Sequence, residues 1–234
     1  MTAAARPGVI AVLGGTGPEG SGLALRWVRA GFEVIIGSRD GARAQEAATK
    51  IRERLGQGSV SGAENSEAVA RADTVVLTVP FTAQQSTLKS VKAAFRPGQT
   101  LVDVTVPLEV AVGGRATRVL GLWSGSAAEA AAEAVPEGVS VVAAFHNVSA
   151  VHLDHLEEPM DCDVLVCGDN REAKARVGKL AQAISGARYV DAGPLSNART
   201  VEALTALLIG INIRYKVPGA GIRITGINAE GGLA

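Results

Sequence analysis

Short apolar runs alternate with longer amphipathic segments along most of this 234-residue chain. Continuous apolar, β-branched runs of about four to eight residues are typical of buried strands. Such runs predict strands at Val9–Leu13, Glu33–Gly37, Ser59–Ser61, Thr74–Pro80, Thr100–Val104, Ser140–Phe145, Val164–Val166 and Arg188–Val190. Apolar positions at helical spacing predict helices at Glu19–Ala30, Ala42–Leu55, Leu88–Phe95, Ala127–Ala134, Glu172–Ile184 and Asn197–Tyr215.

This alternation determines the expected fold class. Strands that alternate with helices form βαβ units, whose parallel sheet is covered by helices on both faces. Because crossovers between parallel strands are right-handed, the natural arrangement is a doubly wound, Rossmann-type α/β fold. The elements after residue 145 are expected to form a small C-terminal α/β segment.

Charge and cysteine content exclude several classes of protein. Lys and Arg number 23, as do Asp and Glu, so the formal net charge is zero. Domains that bind nucleic acid are usually strongly basic, so we expect no nucleic-acid partner. Cys162 and Cys167 do not form a C-x-x-C pair, and no run approaches the roughly 18 apolar residues of a membrane span. We therefore expect a cytoplasmic protein with no membrane partner.

A glycine-rich turn follows the first predicted strand. Gly15, Gly17 and Gly20 form the pattern G-x-G-x-x-G. The first glycine permits a tight turn, the second lets the backbone approach a pyrophosphate, and the third lets the helix pack on the strand. Free N–H groups at the start of the helix face the anion. The turn therefore predicts a dinucleotide held by Gly15, Thr16, Gly17, Pro18, Glu19 and Gly20.

A second register of the same turn leaves another function open. Gly14, Gly17 and Gly20 form G-x-x-G-x-x-G, which resembles atypical short-chain dehydrogenases that sense NADP without catalysis. Catalytic members of that class need a Tyr and a Lys four residues apart, and neither Tyr189 nor Tyr215 has a Lys there. A non-catalytic NADP-sensing module is therefore one alternative.

The end of the second predicted strand indicates which dinucleotide binds. NAD enzymes place an acid there, about 20 residues after the glycines, whereas this chain has Ser38 and Arg39. A hydroxyl and a guanidinium suit the 2′-phosphate of NADP, because arginine can bond two phosphate oxygens. Arg43 follows on the same face if the next helix has begun. These residues predict NADP, and Asp40 is the one neighbour that would repel a phosphate.

Several further segments accompany the turn and the Ser38-Arg39 pair. They are Thr78–Pro80, Ser126–Glu129, Ala144–Ala150, Asp163–Asp169, Gly193–Arg199 and Asn212–Lys216. With them the chain resembles, over roughly residues 9–227, the NADP-dependent reductases of the deazaflavin coenzyme F420. The resemblance implies direct hydride transfer between the nicotinamide C4 of NADP(H) and the deazaflavin C5 of coenzyme F420 as co-substrate.

The resemblance also assigns roles to residues. It implies that Thr16, Ser38, Arg39 and Arg43 hold the 2′-phosphate, and that the main chain of Ala150 meets the nicotinamide amide. Beside the cofactor it places Thr78, Val79 and Pro80, and around the deazaflavin Phe81, Pro107, His146, Asn147, Val148 and Leu195. The chain departs from the family pattern at Asp103–Leu108, where some members have Pro-Leu-Val-Pro, and at Phe81, where members often have Trp. Both departures concern the second substrate.

The three histidines raise two chemical questions. Hydride transfer needs two stacked rings at near-attack distance and no side-chain nucleophile. One proton on the deazaflavin must come from solvent or from His146, although a structural histidine that bonds a loop explains His146 equally well. His146, His152 and His155 also suggest a metal site. Their spacing in a loop does not form a helical pair on one face, so we expect no metal.

The last predicted helix suggests a partner subunit. Val201, Leu204, Leu208, Ile211 and Tyr215 form an apolar stripe, widened by Leu207 and Ile209. We expect this face to form a homodimer, the alternative being that it packs on its own sheet.

Three parts of the chain are expected. Residues 1–145 form the NADP-binding Rossmann domain, 146–227 a small domain that completes the deazaflavin pocket and dimer contact, and 228–234 a disordered tail. Another small NADP-dependent reductase, acting on an imine-type substrate, remains an alternative. Such reductases usually carry a longer helical C-terminal domain than the single long helix found here.

Overall fold

The computed structural model describes residues 8–227, which contain eight strands in one sheet. The strands are β1 (Ile10–Leu13), β2 (Val34–Ser38), β3 (Val60–Glu64), β4 (Thr74–Leu77), β5 (Thr100–Asp103), β6 (Ser140–Ala143), β7 (Cys162–Gly168) and β8 (Ala187–Asp191). Their order across the sheet is β3-β2-β1-β4-β5-β6-β7-β8. The chain thus winds outward in both directions from β1, which confirms the doubly wound fold. The predicted tail at 228–234 lies outside the described residues.

Strand direction departs from the expectation at one pair. Strands β1 to β6 run parallel, whereas β7 runs antiparallel to β6 and parallel to β8. The expectation of a wholly parallel sheet is therefore wrong at β6–β7. A parallel return needs a crossover that carries the chain back along the sheet. The connection of residues 144–161 holds only a five-residue helix, so β7 starts at the edge where β6 ends.

Eight α-helices cover the sheet in the described part of the chain. They are α1 (Pro18–Arg29), α2 (Gly41–Leu55), α3 (Asn65–Arg71), α4 (Gln84–Val91), α5 (Ala127–Ala134), α6 (Ala150–Asp154), α7 (Arg171–Gln182) and α8 (Ala198–Tyr215). Side chains of Asp40, Ser126 and Asn170 accept backbone N–H bonds at the starts of α2, α5 and α7. Six of these helices lie where the sequence predicts them.

The remaining two helices, α3 and α6, are not predicted by the periodicity, because five to seven residues are too few to establish it. Helix α4 also begins four residues before its predicted start at Leu88. A 3₁₀ turn at Phe81–Ala83 follows Pro80 directly and leads into it. The chain therefore bends immediately after β4, at the edge where ligands bind in this fold.

The core consists of two apolar layers, one on each face of the sheet. In β1, Ile10 and Val12 belong to one layer, and Ala11 and Leu13 to the other, as expected for a strand buried on both faces. Residues of β7 continue both layers in the same way. The assignment of residues 146–227 to a domain of its own stays a prediction.

Candidate functional site: a cleft at the carboxyl edge of the sheet

A cleft of about 820 Å³ opens where β1, β2, β4 and β5 end. Ligands bind at this place in doubly wound sheets. The strand order reverses beside β1, so the loops that follow the neighbouring strands lead to opposite sides and leave a crevice between them. Eleven of the predicted site residues line it: Thr16, Gly17, Pro18, Glu19, Ser38, Arg39, Arg43, Thr78, Val79, Pro80 and Phe81. The structure thus brings the glycine turn, the Ser-Arg strand end and the β4 end into one cavity.

The glycine turn forms the floor of this cleft. The residue in the left-handed region is Gly14, with φ of +83°, so the tight turn depends on Gly14 and not on Gly15 as the motif predicts. A Cβ atom on Gly15 would lie 2.9 Å from the Val12 carbonyl oxygen. At Gly20 a Cβ atom would lie 2.4 Å from Thr78 Oγ1. Glycine at both positions lets α1 approach the ends of β1 and β4.

The first turn of α1 presents backbone donors to the cleft. Gly17 occupies the N-cap without a side-chain bond, and Pro18 is the first helical residue. Proline has no N–H, so nothing is lost at a position whose donor would be free. The following N–H groups and the helix dipole favour an anion here. This geometry fits the pyrophosphate of a dinucleotide.

Ser38, Arg39 and Arg43 line the end of the cleft beside β2. Both arginine side chains are exposed. Asp40, which would repel a phosphate, instead caps α2: its Oδ1 accepts from the N–H of Ala42 at 2.9 Å and of Arg43 at 3.3 Å. Its charge is directed to the helix dipole, so the two guanidinium groups remain available to an anion.

The opposite wall of the cleft is formed by residues after β4 and β5. Val79, Phe81, Val106 and Leu108 supply apolar surface there. This surface fits a planar ring better than a charged group. Thr78 Oγ1 donates to the Leu13 carbonyl oxygen at 2.9 Å, which holds the β4 end against β1.

A buried polar cluster supports that wall and was not found by sequence reasoning. Asp103 accepts from Thr105 Oγ1 at 2.7 Å and from Gln84 Nε2 at 2.7 Å. Gln84 Nε2 also contacts the Ala127 carbonyl oxygen at 2.8 Å. Burial raises the pKa of Asp103 to about 6, against the opposing effect of these hydrogen bonds. The cluster fixes the turn after β5, from which Thr105 reaches the cleft.

His146 lies beside the cleft but does not line it. Its side chain is buried, and neither ring nitrogen has a hydrogen-bond partner among the described residues. Burial lowers the pKa of His146 to about 4, so the ring is neutral at pH 7. Its carbonyl oxygen accepts from Thr205 Oγ1 at 2.7 Å, and Thr205 does line the cleft. The catalytic role of His146 stays a prediction.

Phe145 carries the strained backbone of this segment. Its φ is +69°, which is unusual for a bulky residue and is most common near functional sites. The ring is fully buried and meets Trp27 edge to face, with ring centroids 5.6 Å apart. This contact with α1 stabilises the turn that leads from β6 to His146.

Seven other predicted residues lie outside the surface of the cleft. Gly15 and Gly20 are packed beneath it, and Ala150 begins α6. The side chains of the remaining four residues are buried: Pro107, Asn147, Val148 and Leu195. Asn147 Nδ2 donates to the Asp163 carbonyl oxygen at 2.6 Å, which is a structural bond. The roles implied for these residues by resemblance stay predictions.

Sequence reasoning also missed Arg26, which is buried in α1. Its guanidinium donates to the carbonyl oxygens of Leu153 at 2.9 Å, His152 at 2.7 Å and His155 at 2.6 Å. It also reaches the Glu158 carbonyl oxygen at 3.1 Å. These bonds attach α6 and the following loop to α1. No local signal marks this role, because every acceptor lies more than 120 residues away in the chain.

Residues 8–227 contain no group of three or more His, Cys, Asp or Glu side chains arranged to hold a metal ion. In the same residues no helix has both the length and the apolar character required to cross a bilayer.

Comparison with known proteins agrees with this geometry. The model of the family described as NADP oxidoreductase coenzyme F420-dependent matches residues 9–107. The F420-dependent NADP reductase of Methanothermobacter thermautotrophicus is 51% identical over 221 residues, which are 93% of this chain and 95% of that one. The fold is also close to a putative F420-dependent NADP reductase from Arthrobacter sp. FB24, with a TM-score of 0.78 and 25% identity over 92% of this chain and 98% of that one.

A more distant structure bears on the imine-type alternative. A pyrroline-5-carboxylate reductase from Coxiella burnetii has a TM-score of 0.61 at 11% identity, covering 89% of this chain and 67% of that one. That likeness shows a shared fold alone, and the imine-type alternative is not favoured. On the identity and coverage of its relatives, the chain belongs to the family of coenzyme F420-dependent NADP oxidoreductases.

Proposed function

We propose that this protein is an NADP-dependent oxidoreductase that transfers a hydride between the nicotinamide C4 of NADP(H) and the deazaflavin C5 of coenzyme F420. The observation that carries the proposal is the composition of the two ends of the cleft. Arg39 and Arg43 supply positive charge and Ser38 a hydroxyl at the β2 end, and Val79, Phe81 and Leu108 supply apolar surface at the other. Family membership identifies the two coenzymes that fit these ends.

In this proposal the protein binds and orients, and the two coenzymes supply the chemistry. The arginines hold the 2′-phosphate, and the N-terminus of α1 holds the pyrophosphate. The nicotinamide is thereby directed toward the ends of β4 and β5, where the apolar wall excludes water. Holding two rings at near-attack distance is sufficient for hydride transfer, because no covalent intermediate with the protein is needed.

The test uses the visible absorbance of the oxidised deazaflavin. We expect the purified protein with NADPH to bleach this absorbance, and NADH to support the reaction far less well. Absence of bleaching with either nucleotide across pH 5 to 9 would contradict the proposed activity. Binding of NADP+ by calorimetry without any turnover would favour the non-catalytic NADP-sensing alternative instead.

We also propose a homodimer. On α8, Leu207, Ile213 and Tyr215 have exposed fractions of 58%, 67% and 70%. Residues 109–125 run beside this helix, since a Cβ atom on Gly210 would lie 3.8 Å from Thr117 Cγ2. Trp123 of that segment is fully exposed. Val201 and Leu208 of the predicted stripe are instead buried within the chain, so the support for a subunit contact comes from these exposed apolar side chains.

Analytical ultracentrifugation tests the oligomeric state directly. We expect a species of twice the 23.9 kDa chain mass, and Ile213→Asp should shift it toward the monomer. A monomer at every concentration up to the millimolar range would contradict the proposal.

A cytoplasmic location is proposed as well. Cys162 and Cys167 are both buried and unpaired, which suits a reducing compartment. Cell fractionation with an antibody to the protein tests the location, and recovery in an extracellular fraction would contradict it.

A further inference from the structure

Glu19 is exceptional among the acidic residues that the structure describes. Its Oε1 atom is buried without a hydrogen-bond partner, and no other aspartate or glutamate oxygen of residues 8–227 shares this property. Burial raises the pKa of Glu19 to about 8, so the group is mostly a neutral acid at pH 7. A buried polar atom without a partner is costly and calls for an explanation.

The other buried acids each have partners within the chain. Asp163 receives bonds from Arg188 at 2.7 and 2.6 Å. Glu202 accepts from the backbone N–H groups of Ala127 at 2.9 Å and Ala128 at 3.0 Å. Asp103 is bonded to Gln84 and Thr105 as described above. Because each of these three buried acids has a partner within the chain, we expect the partner of Glu19 outside the chain.

The cleft is where such a partner would bind. Glu19 is the second residue of α1 and lines the cleft together with Thr78, Val79 and Pro80. Gly22 and Arg26 lie three and seven positions further along, so the three residues share one face of the helix. That face packs on α6, since a Cβ atom on Gly22 would lie 2.7 Å from Leu153 Cβ and Arg26 bonds the α6 carbonyls. Glu19 therefore faces the α6 side of the cleft.

The orientation of α6 indicates which half of a dinucleotide Glu19 meets. Asp154, the last residue of α6, pairs with Arg54 of α2. Arg54 stands in the last turn of α2, about 16 Å along that helix from Arg43. The C-terminal end of α6 therefore lies away from the carboxyl edge of the sheet, and its N-terminal end, at Ala150, lies toward it. Gly20, the residue after Glu19, packs against Thr78 at the end of β4, so Glu19 lies toward the end of the cleft proposed for the nicotinamide.

We propose that the carboxyl group of Glu19 binds the carboxamide of the nicotinamide ring of NADP(H). The proposal rests on the proposed function, because it needs NADP(H) in this cleft. A neutral carboxylic acid has one donor and one acceptor, and a primary amide offers the complementary pair. A carboxylate could only accept, and it would add negative charge beside the pyrophosphate. A carboxyl group kept neutral by burial avoids this repulsion.

Equilibrium binding to the full-length protein tests the proposal without any turnover. The probes are NADP+, its 3-acetylpyridine analogue, which lacks the amide N–H groups, and 2′,5′-ADP, which lacks the nicotinamide. We expect Glu19→Leu to weaken NADP+ binding at least about tenfold, the loss of a paired polar contact, and to leave 2′,5′-ADP binding unchanged. Glu19→Gln, which keeps a donor and an acceptor, should bind NADP+ nearly as the parent does.

The 3-acetylpyridine analogue isolates the contribution of the amide group to binding. The parent should bind NADP+ more tightly than the 3-acetylpyridine analogue, and Glu19→Leu should remove that difference. As a matched control, Arg39→Ala should weaken NADP+ and 2′,5′-ADP together. Unchanged 2′,5′-ADP binding also shows that Glu19→Leu is folded at the site.

Two results would overturn the inference while leaving the proposed function intact. One is an equal effect of Glu19→Leu on NADP+ and 2′,5′-ADP, and the other is no effect on either. If the parent bound neither nucleotide, both proposals would fail together.

Discussion

Arg39 stands where NAD enzymes carry an acid, and we expect this position to determine which dinucleotide the cleft accepts. The sequence predicts it because its distance from the glycines is fixed by the β-α-β unit. The structure adds the orientation of Asp40, which lines the cleft beside Arg39 but whose carboxylate caps α2. Glu19 is predicted to bind the dinucleotide because it lies in the glycine turn. The roles of Arg26 and Phe145 depend on distant contacts and could not be predicted, because no local pattern encodes them.

Replacement of Arg39 by alanine tests the assignment of the 2′-phosphate. We expect Arg39→Ala to raise the KM for NADPH about tenfold or more and to leave the KM for NADH nearly unchanged. A lost charged hydrogen bond costs on the order of 1.5–3 kcal/mol, and NADH has no phosphate to lose. Steady-state kinetics with both nucleotides measures the change. Arg171→Ala, which removes an exposed arginine outside the cleft, is the control, and an equal effect on NADPH and NADH would refute the assignment.

At the scale of elements, the strands and long helices were predictable. Each long helix repeats its apolar residues at helical spacing, and each strand has a continuous apolar run. Helices α3 and α6 were not, since a helix of one or two turns has too few positions to show a period. The direction of β7 was also beyond prediction, because it depends on where the connection after β6 leads. That path is fixed by Arg26, which binds four carbonyl groups of residues 152–158.

Arg26→Met should therefore destabilise the protein by about 3 kcal/mol, because several buried carbonyl groups lose a charged donor. Urea unfolding monitored by circular dichroism measures this. Arg29→Met is the matched control on the same helix, since Arg29 pairs with Glu157 on the surface, and such pairs contribute at most about 1 kcal/mol. Similar losses in the two variants would contradict the role given to Arg26.

At the scale of the whole molecule, a buried ion cluster joins the β7–β8 edge of the sheet to the segment that follows α8. Asp163 of β7 accepts from Arg188 of β8, from Arg223 at 2.9 Å and from the Ile224 N–H at 2.7 Å. Burial raises the pKa of Asp163, but these hydrogen bonds outweigh it and lower the pKa to about 2. The cluster attaches the segment after α8 to the sheet. Neither the composition nor the hydrophobic periodicity of the sequence reveals this long-range contact.

The low pKa of Asp163 predicts how stability depends on acid. Its folded pKa lies below the unfolded value near 4, so its contribution is full above pH 4 and declines as the pH falls toward 2. Asp163→Asn should be less stable than the parent at pH 6, and the gap should narrow by about 1 kcal/mol by pH 3. Asp161→Asn is the matched control, because it removes an exposed neighbour that pairs with Arg223, and it should show only a small gap at pH 6. A constant gap for Asp163→Asn in urea titrations would contradict the prediction.

The central claim is that one cleft holds both rings and passes a hydride between them directly. Transfer of an isotope label tests it most directly. NADPH deuterated at the transferred C4 position is mixed with oxidised coenzyme F420 and the protein in ordinary water, and the product is analysed by mass spectrometry. The account predicts deuterium at the deazaflavin C5 of the reduced product. Reduced product without the label, or no reduction at all, would contradict it.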